Sequence, residues 1–271
     1  MTWIGNTKYI DGGLGPVAEG VEINIDGITV LTGPNGSGKT LIRNHTLYAN
    51  VSTFYIDFSR ITPVQTLELL RWRECSPLEI ESSGSWYEES DEVESARKGI
   101  AAYVDDLIER RVDKNCFSGG MEACDLRVFK YSEYSINDLS PGEISLCILA
   151  FMVRNYKVDG RTIVYIESPE AFLSPEWIVE YARILVWINK RIGTRFLVTS
   201  HNPDFVSAIR YISEYERTLD KTRFYYAEKT GDGFAWKEAK EGGDDPKSIA
   251  PLFEIFIKGI EKIAEYSNDK K

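Results

Sequence analysis

A single run of eight residues, GPNGSGKT at positions 33–40, constrains the fold of this chain more than any other feature. It fits the pattern Gly-x4-Gly-Lys-[Ser/Thr], follows a short apolar run at 28–31 and precedes residues of helical character at 40–48. Glycines let the backbone curl so that successive N–H groups point into one concavity, and a helix start adds partial positive charge. The run therefore predicts a phosphate-binding loop between a strand and a helix.

The chemistry of this loop favours a nucleoside triphosphate. Lys39 is placed to reach the β- and γ-phosphates, and the Thr40 hydroxyl is placed to bind Mg²⁺. The alternative is a glycine-rich turn that happens to precede Lys-Thr, and the strand–loop–helix context disfavours it. We expect ATP to be contacted by these loop residues: Asn35, Gly36, Ser37, Gly38, Lys39 and Thr40.

Composition and charge bound the class of protein. The 271 residues suit one large α/β domain, and 43% hydrophobic with 27% charged residues is ordinary for a soluble protein with a full core. The net charge of −10 argues against a wholly basic nucleic-acid binder but leaves room for a local basic face. No apolar run approaches the ~18 residues of a membrane span, and the N-terminus lacks signal-peptide features. We expect a cytoplasmic protein with no membrane insertion.

Strand and helix patterns alternate along the chain, which predicts an α/β fold with a mainly parallel sheet. We treat 1–271 as a single domain with a mainly helical subdomain inserted at about 66–135, in which 74–92 form an exposed loop. The other expected elements are strands at 21–25, 28–31, 53–58, 162–166 and 196–199, helices at 40–48, 93–112, 141–154, 175–192, 203–213 and 249–266, and a hairpin at 223–237.

A second candidate element is the apolar strand that ends in Glu167. A carboxylate at the C-terminal end of a parallel strand can hold Mg²⁺ beside a phosphate loop, directly or through water. Many buried strands end in an acid, so this feature alone would not indicate a metal ligand. The assignment of Glu167 is supported by its position after the glycine loop and before Ser168-Pro169.

Four motifs in this order resemble those of ABC-class ATPases. They are the glycine loop, LSPGE at 139–143, IESPEAFLSP at 166–175 and TSHN at 199–202. The residues of these motifs are most similar to those of the non-transporter branch, namely SMC and RecF-type head domains and OLD-type ATPases. The resemblance spans the framework of the whole chain. It implies a P-loop NTPase with an ABC-type head, an antiparallel β portion, ATP and Mg²⁺ as cofactors, and a head-to-tail homodimer on ATP binding.

The resemblance also assigns roles to single residues. Ser140, Gly142 and Glu143 match the signature loop, which contacts the γ-phosphate of ATP held by a second subunit. His201 matches the switch histidine at the γ-phosphate, and Gln65 matches the glutamine that binds Mg²⁺ and the attacking water. Ser140 also fits a helix N-cap with Glu143 as its capping-box partner. His201 and Gln65 also fit ordinary loop and surface residues.

One position departs from the family pattern. In active members a second carboxylate follows the metal-binding acid, and here that position is Ser168. A serine hydroxyl can orient water but cannot accept its proton near neutral pH. Glu170 would substitute if the backbone turned it inward. We therefore expect slow hydrolysis, or ATP binding that holds a closed dimer for a long time.

Three functions remain open at this stage. The leading one is an ATPase that acts as a switch on DNA or a partner effector protein, in DNA repair, maintenance or defence. The second is the ATP-binding subunit of a membrane transporter, which the Glu-ending signature disfavours. The third is a non-hydrolysing nucleotide sensor, which Ser168 alone supports.

Overall fold

The computed structural model describes residues 2–4, 7–10, 15–18, 20–46, 53–57, 90–111, 139–155, 158–231 and 233–239, together with positions 253, 257, 260, 261 and 264. The strands are β1 Thr2–Ile4, β2 Thr7–Ile10, β3 Val21–Asn24, β4 Ile28–Thr32, β5 Thr53–Asp57, β6 Ile163–Glu167, β7 Arg195–Thr199, β8 Thr222–Thr230 and β9 Gly233–Glu238. The helices are α1 Lys39–Thr46, α2 Asp91–Arg111, α3 Pro141–Asn155, α4 Pro175–Ile192 and α5 Pro203–Tyr215, with short 3₁₀ helices at Pro169–Phe172 and Leu219–Lys221.

Two sheets organise these elements. The larger sheet has the order β5-β6-β7-β4-β8-β9 and is parallel except for the β8–β9 hairpin. The smaller sheet, β1-β2-β3, is antiparallel. The expected α/β class with a mainly parallel sheet and an antiparallel portion is therefore confirmed.

Strands β4 and β6, both of which lie inside the sheet, are buried along their whole length. Apolar strands of this kind occur where helices cover both faces of a parallel sheet. Helices α2, α3 and α4 pack on one another and belong to one large apolar cluster with the sheet, while a second cluster joins the sheet to β3 and α1. The sheet is thus fixed from both sides, and its strand ends are held in place.

Most predicted elements agree with the structure to within a few residues. Helix α4 has the predicted bounds, and the predicted hairpin is present. Helix α2 begins at Asp91 rather than 93, so the predicted loop at 74–92 is wrong at its last two residues. The physical reason is a helix start at Ser90, whose hydroxyl accepts the Val93 N–H at 3.4 Å, with acidic residues in the first turn.

Part of the predicted insertion and its flanks falls outside the described residues. Of the range 66–135 only 90–111 are described, and the extent of the subdomain stays a prediction. A buried arginine joins the described part to the rest: Arg97 of α2 donates to the carbonyls of Val153 at 3.0 Å and Val158 at 2.7 Å. In the described part of the chain, no helix combines the length and apolar character needed to cross a membrane.

Candidate functional site

The loop between β4 and α1 has a shape that its glycines make possible. Gly36 and Gly38 have φ of 80° and 92°, in the left-handed region that glycine enters without a steric penalty. A Cβ on Gly38 would clash with the side chain of Val17. The turn is closed by the Ser37 N–H, which donates to the Pro34 carbonyl at 3.3 Å, and α1 then starts with the Ile42 N–H on the Gly38 carbonyl at 2.9 Å.

Lys39 lies folded into this loop. Its ammonium group donates to the carbonyls of Gly33 at 2.8 Å and Pro34 at 2.9 Å, and the residue is buried. Burial lowers the pKa of Lys39 to about 8, against the opposing charges of Glu167 and Glu170. Phosphate oxygens would be stronger partners for this ammonium than neutral carbonyls, because opposite charges attract one another in addition to the hydrogen bond.

Thr40 and Glu167 form a hydrogen bond at the C-terminal end of the parallel strands. The Thr40 hydroxyl, in the first turn of α1, donates to a carboxylate oxygen of Glu167 at the end of β6 at 2.8 Å. Glu167 is buried. A hydroxyl and a carboxylate are the hard oxygen donors that Mg²⁺ prefers, and Mg²⁺ in phosphate sites is held by one or two carboxylates plus the phosphates. The donor set therefore fits Mg²⁺.

Ser168 adopts a strained backbone conformation directly after Glu167. Its φ of 53° and ψ of 58° place a non-glycine residue in the left-handed region, which costs on the order of 1–2 kcal/mol. The conformation is held by the Ser168 N–H, which donates to the Thr199 carbonyl at 2.9 Å. The chain turns sharply here into the 3₁₀ helix, and this turn sends Glu170 inward.

Glu170 and His201 are brought together by that turn. The His201 backbone N–H donates to Oε1 of Glu170 at 3.0 Å. Burial raises the pKa of the Glu170 carboxyl, while the His201 N–H and other polar groups of the 200–202 segment oppose the rise. His201 is exposed as a residue, but the surrounding protein partly desolvates its ring. This partial desolvation and the charge of Lys39 lower its pKa, so the imidazole beside the loop is neutral near neutral pH.

The signature-like segment forms the start of α3. Ser140 N–H donates to Oε2 of Glu143 at 2.6 Å, and Glu143 N–H donates to the Ser140 hydroxyl at 3.3 Å. This is the capping box that the spacing predicts. Ser140 is exposed, so the helix N-terminus faces outward. Gly142 packs tightly, since a Cβ there would lie 2.8 Å from the Phe172 carbonyl oxygen of the 3₁₀ helix.

The structure thus places Lys39, Thr40, Glu167, Glu170 and His201 around one edge of the sheet, while Gln65 lies outside the described residues. Sequence reasoning missed Trp236, whose indole N–H donates from β9 to the Ser37 carbonyl of the loop at 3.2 Å. The hairpin pattern indicated a strand there, but no motif signalled a contact with the loop.

Comparisons with known proteins give only remote likenesses. No family model matches the chain, and no curated protein does either. Among solved structures it is similar to an ATP-binding cassette of an ABC transporter, at 16% identity over 94% of this chain and 97% of that one, with a TM-score of 0.49. It is also similar to the SMC head domain from Thermotoga maritima, at 11% identity over 86% and 97% of the two chains, with a TM-score of 0.47. A dimeric bacterial ABC transporter cassette gives 14% identity over 83% and 90%, with a TM-score of 0.44.

The packing of Gly142 gives a stability prediction. Replacement of Gly142 by Ala places a methyl group against a backbone oxygen that cannot rotate away, and we expect a net loss of about 1–2 kcal/mol in the free energy of unfolding. Gly99→Ala is the matched control, because a Cβ at Gly99 in α2 meets nothing within 4 Å. That change should stabilise the protein by about 0.5–1 kcal/mol. Urea denaturation checks both, and equal stabilisation by the two changes would contradict the packing.

Proposed function

We propose that this chain is an ABC-class ATPase that binds ATP and Mg²⁺ and then pairs head-to-tail with a second copy of itself. The observation that carries the proposal is the Thr40–Glu167 contact beside the buried Lys39 ammonium. It places a helix N-terminus, a positive charge and two hard oxygen donors at one strand edge. The order of the four sequence motifs supports the ABC class within the wider set of phosphate-loop proteins.

Binding of the triphosphate follows from the loop. Backbone N–H groups of the loop would bind the phosphates, and Lys39 would exchange the carbonyls of Gly33 and Pro34 for phosphate oxygens. Thr40 and Glu167 would hold Mg²⁺, with Gln65 as a further proposed ligand. When bound, the metal neutralises phosphate charge and fixes the phosphate geometry. The neutral His201 ring carries one N–H, which would exchange the Gly33 carbonyl for the γ-phosphate.

The dimer follows from the exposed start of α3. Ser140 and Pro141 are exposed, so this helix N-terminus is open to solvent, and an exposed helix N-terminus is a ready anion site. In the proposed dimer this end meets the γ-phosphate of ATP bound by the partner subunit, so that two composite sites form. The capping box fixes the shape of this helix start, and it uses the Ser140 hydroxyl only as an acceptor for the Glu143 N–H, so the hydroxyl proton remains available to donate.

Hydrolysis is proposed to be slow because Ser168 stands where a second carboxylate would accept the proton of water. The Ser168 N–H donates to the Thr199 carbonyl, and its hydroxyl can orient a water but is no base near neutral pH. The long-lived ATP state would act as a cytoplasmic switch on DNA or a partner protein. The same residue favours a second candidate, a nucleotide sensor that does not hydrolyse ATP at all.

Sizing the protein with and without ATP tests the proposal. We expect ATP and Mg²⁺ to double the mass of the wild type and to leave Lys39→Ala monomeric. Turnover should lie far below the ~10 per second typical of enzymes. Ser168→Glu supplies the missing base and should raise turnover by about a hundredfold.

Each outcome selects one reading. A wild type that binds ATP but stays monomeric contradicts the dimer, and turnover near ~10 per second contradicts the slow switch. An ATP-dependent dimer with no turnover in long incubations favours the sensor. Addition of duplex DNA to the same samples tests whether DNA is the partner.

The depressed pKa of Lys39 gives a pH prediction. The free protein loses the Lys39 proton above about pH 8, whereas phosphate binding needs the ammonium. ATP binding must then take up a proton, so affinity should fall as pH rises, by up to about tenfold per pH unit. Lys39→Arg stays charged throughout and should show a flat profile. Fluorescent-ATP titrations from about pH 7.5 to 9.5 measure this, and parallel profiles for the two proteins would refute it.

A further inference from the structure

Glu170 makes a contact that the proposed ATPase chemistry does not explain. The turn at Ser168 carries it beneath the 200–202 segment, where Oε1 accepts the His201 N–H at 3.0 Å. Oε2 is shut off from solvent and has no partner within hydrogen-bond geometry among the described residues. The Ser200 hydroxyl and the Asn202 amide nevertheless lie near the carboxylate, and both lower its pKa. The carboxylate is therefore surrounded by the segment that carries His201.

This segment is fixed on both sides of His201 by other groups. The Ser200 N–H donates to the Leu31 carbonyl at 3.1 Å, which ties one side to β4. The Asn202 side chain accepts the N–H groups of Asp204 at 2.7 Å and Phe205 at 3.1 Å, which ties the other side to the start of α5. The backbone at His201 itself is held by the Glu170 carboxylate.

The burial of Glu170 disfavours a direct role in accepting a proton from water. A general base must lie within hydrogen-bond distance of the water that it activates. One carboxylate oxygen of Glu170 accepts an amide N–H, and the other is shut off from solvent. Oε2 is therefore closed to water, and Oε1 already accepts the amide that fixes His201.

We infer that Glu170 is a positioning residue, whose carboxylate fixes the His201 backbone and so holds the imidazole beside Gly33 and Lys39. The link joins the segment after β6 to the segment after β7, so a shift of the Ser168 turn is passed to His201. The part of this inference that concerns the γ-phosphate rests on the proposed function. The link between the two segments does not depend on it.

Four single variants and one double variant separate the possible roles of Glu170. Glu170→Gln removes the charge and any capacity to take a proton but keeps an oxygen acceptor. Glu170→Met has a similar volume without a comparable acceptor, and Glu170→Ala is a second form of the same loss if the Met variant does not fold. His201→Ala removes the imidazole, and it is also combined with Glu170→Met. Thermal melting confirms that each variant is folded.

The link is measured first, without nucleotide. The chain has two histidines, His45 and His201, so ¹⁵N-histidine labelling gives two backbone amide signals, which His201→Ala assigns. We expect the His201 signal to move upfield in Glu170→Met and to stay close to the wild-type position in Glu170→Gln. His45 serves as the internal reference. A His201 signal that does not move in Glu170→Met would overturn the inference.

The contribution of His201 to γ-phosphate binding is measured as a ratio, namely the affinity for a non-hydrolysable ATP analogue divided by the affinity for ADP. His201→Ala, Glu170→Met and the double variant should all lower this ratio by about tenfold, the worth of one charge-assisted hydrogen bond. Glu170→Gln should stay within about twofold of the wild type. Equal losses in Glu170→Gln and Glu170→Met, no loss in Glu170→Met, or multiplied losses in the double variant would each overturn the inference. If the wild type binds neither nucleotide, the proposed function fails, and the amide signal alone decides the link.

Discussion

The three adjacent parallel strands β4, β7 and β6 are in a register that aligns their C-terminal ends. Leu31 pairs with Thr199, and Thr199 pairs with Glu167. Because β7 lies between the other two, the glycine loop, the Ser168 turn and the His201 segment all leave the sheet at the same edge. A slip of one residue in any of these strands would turn every side chain to the other face. The Thr40–Glu167 contact and the Glu170–His201 link both depend on this alignment.

Two opposing effects set the pKa of Lys39 at this end of the sheet. Desolvation is the larger effect and lowers its pKa, while Glu167 and Glu170 act in the opposite direction. Desolvation, together with the positive charge of Lys39, lowers the pKa of the neighbouring His201 ring. Addition of a triphosphate would reverse this balance, since its negative charge favours the ammonium form of Lys39. The site therefore holds a poorly solvated cation in readiness for an anionic ligand.

The sequence predicts those features that depend on local spacing. The glycine loop requires particular residues at particular positions, the Ser140–Glu143 box needs a spacing of three, and α4 shows a helical repeat between a proline and a glycine. The position of the Glu170 carboxylate was not predictable, because it follows from a left-handed Ser168 held by a neighbouring strand. The Trp236–Ser37 contact joins residues 199 positions apart and depends on how β9 adds to the sheet.

The central claim is that Thr40 and Glu167 form the metal side of an ATP site whose phosphate side is Lys39. Calorimetric titration of ATP into the wild type and into Thr40→Val, each with and without Mg²⁺, tests this most directly. The account predicts one ATP per chain and an affinity at least about tenfold higher with Mg²⁺ in the wild type, an advantage that Thr40→Val loses. The account is contradicted if ATP gives no binding heat, or if the Mg²⁺ advantage is the same in both proteins.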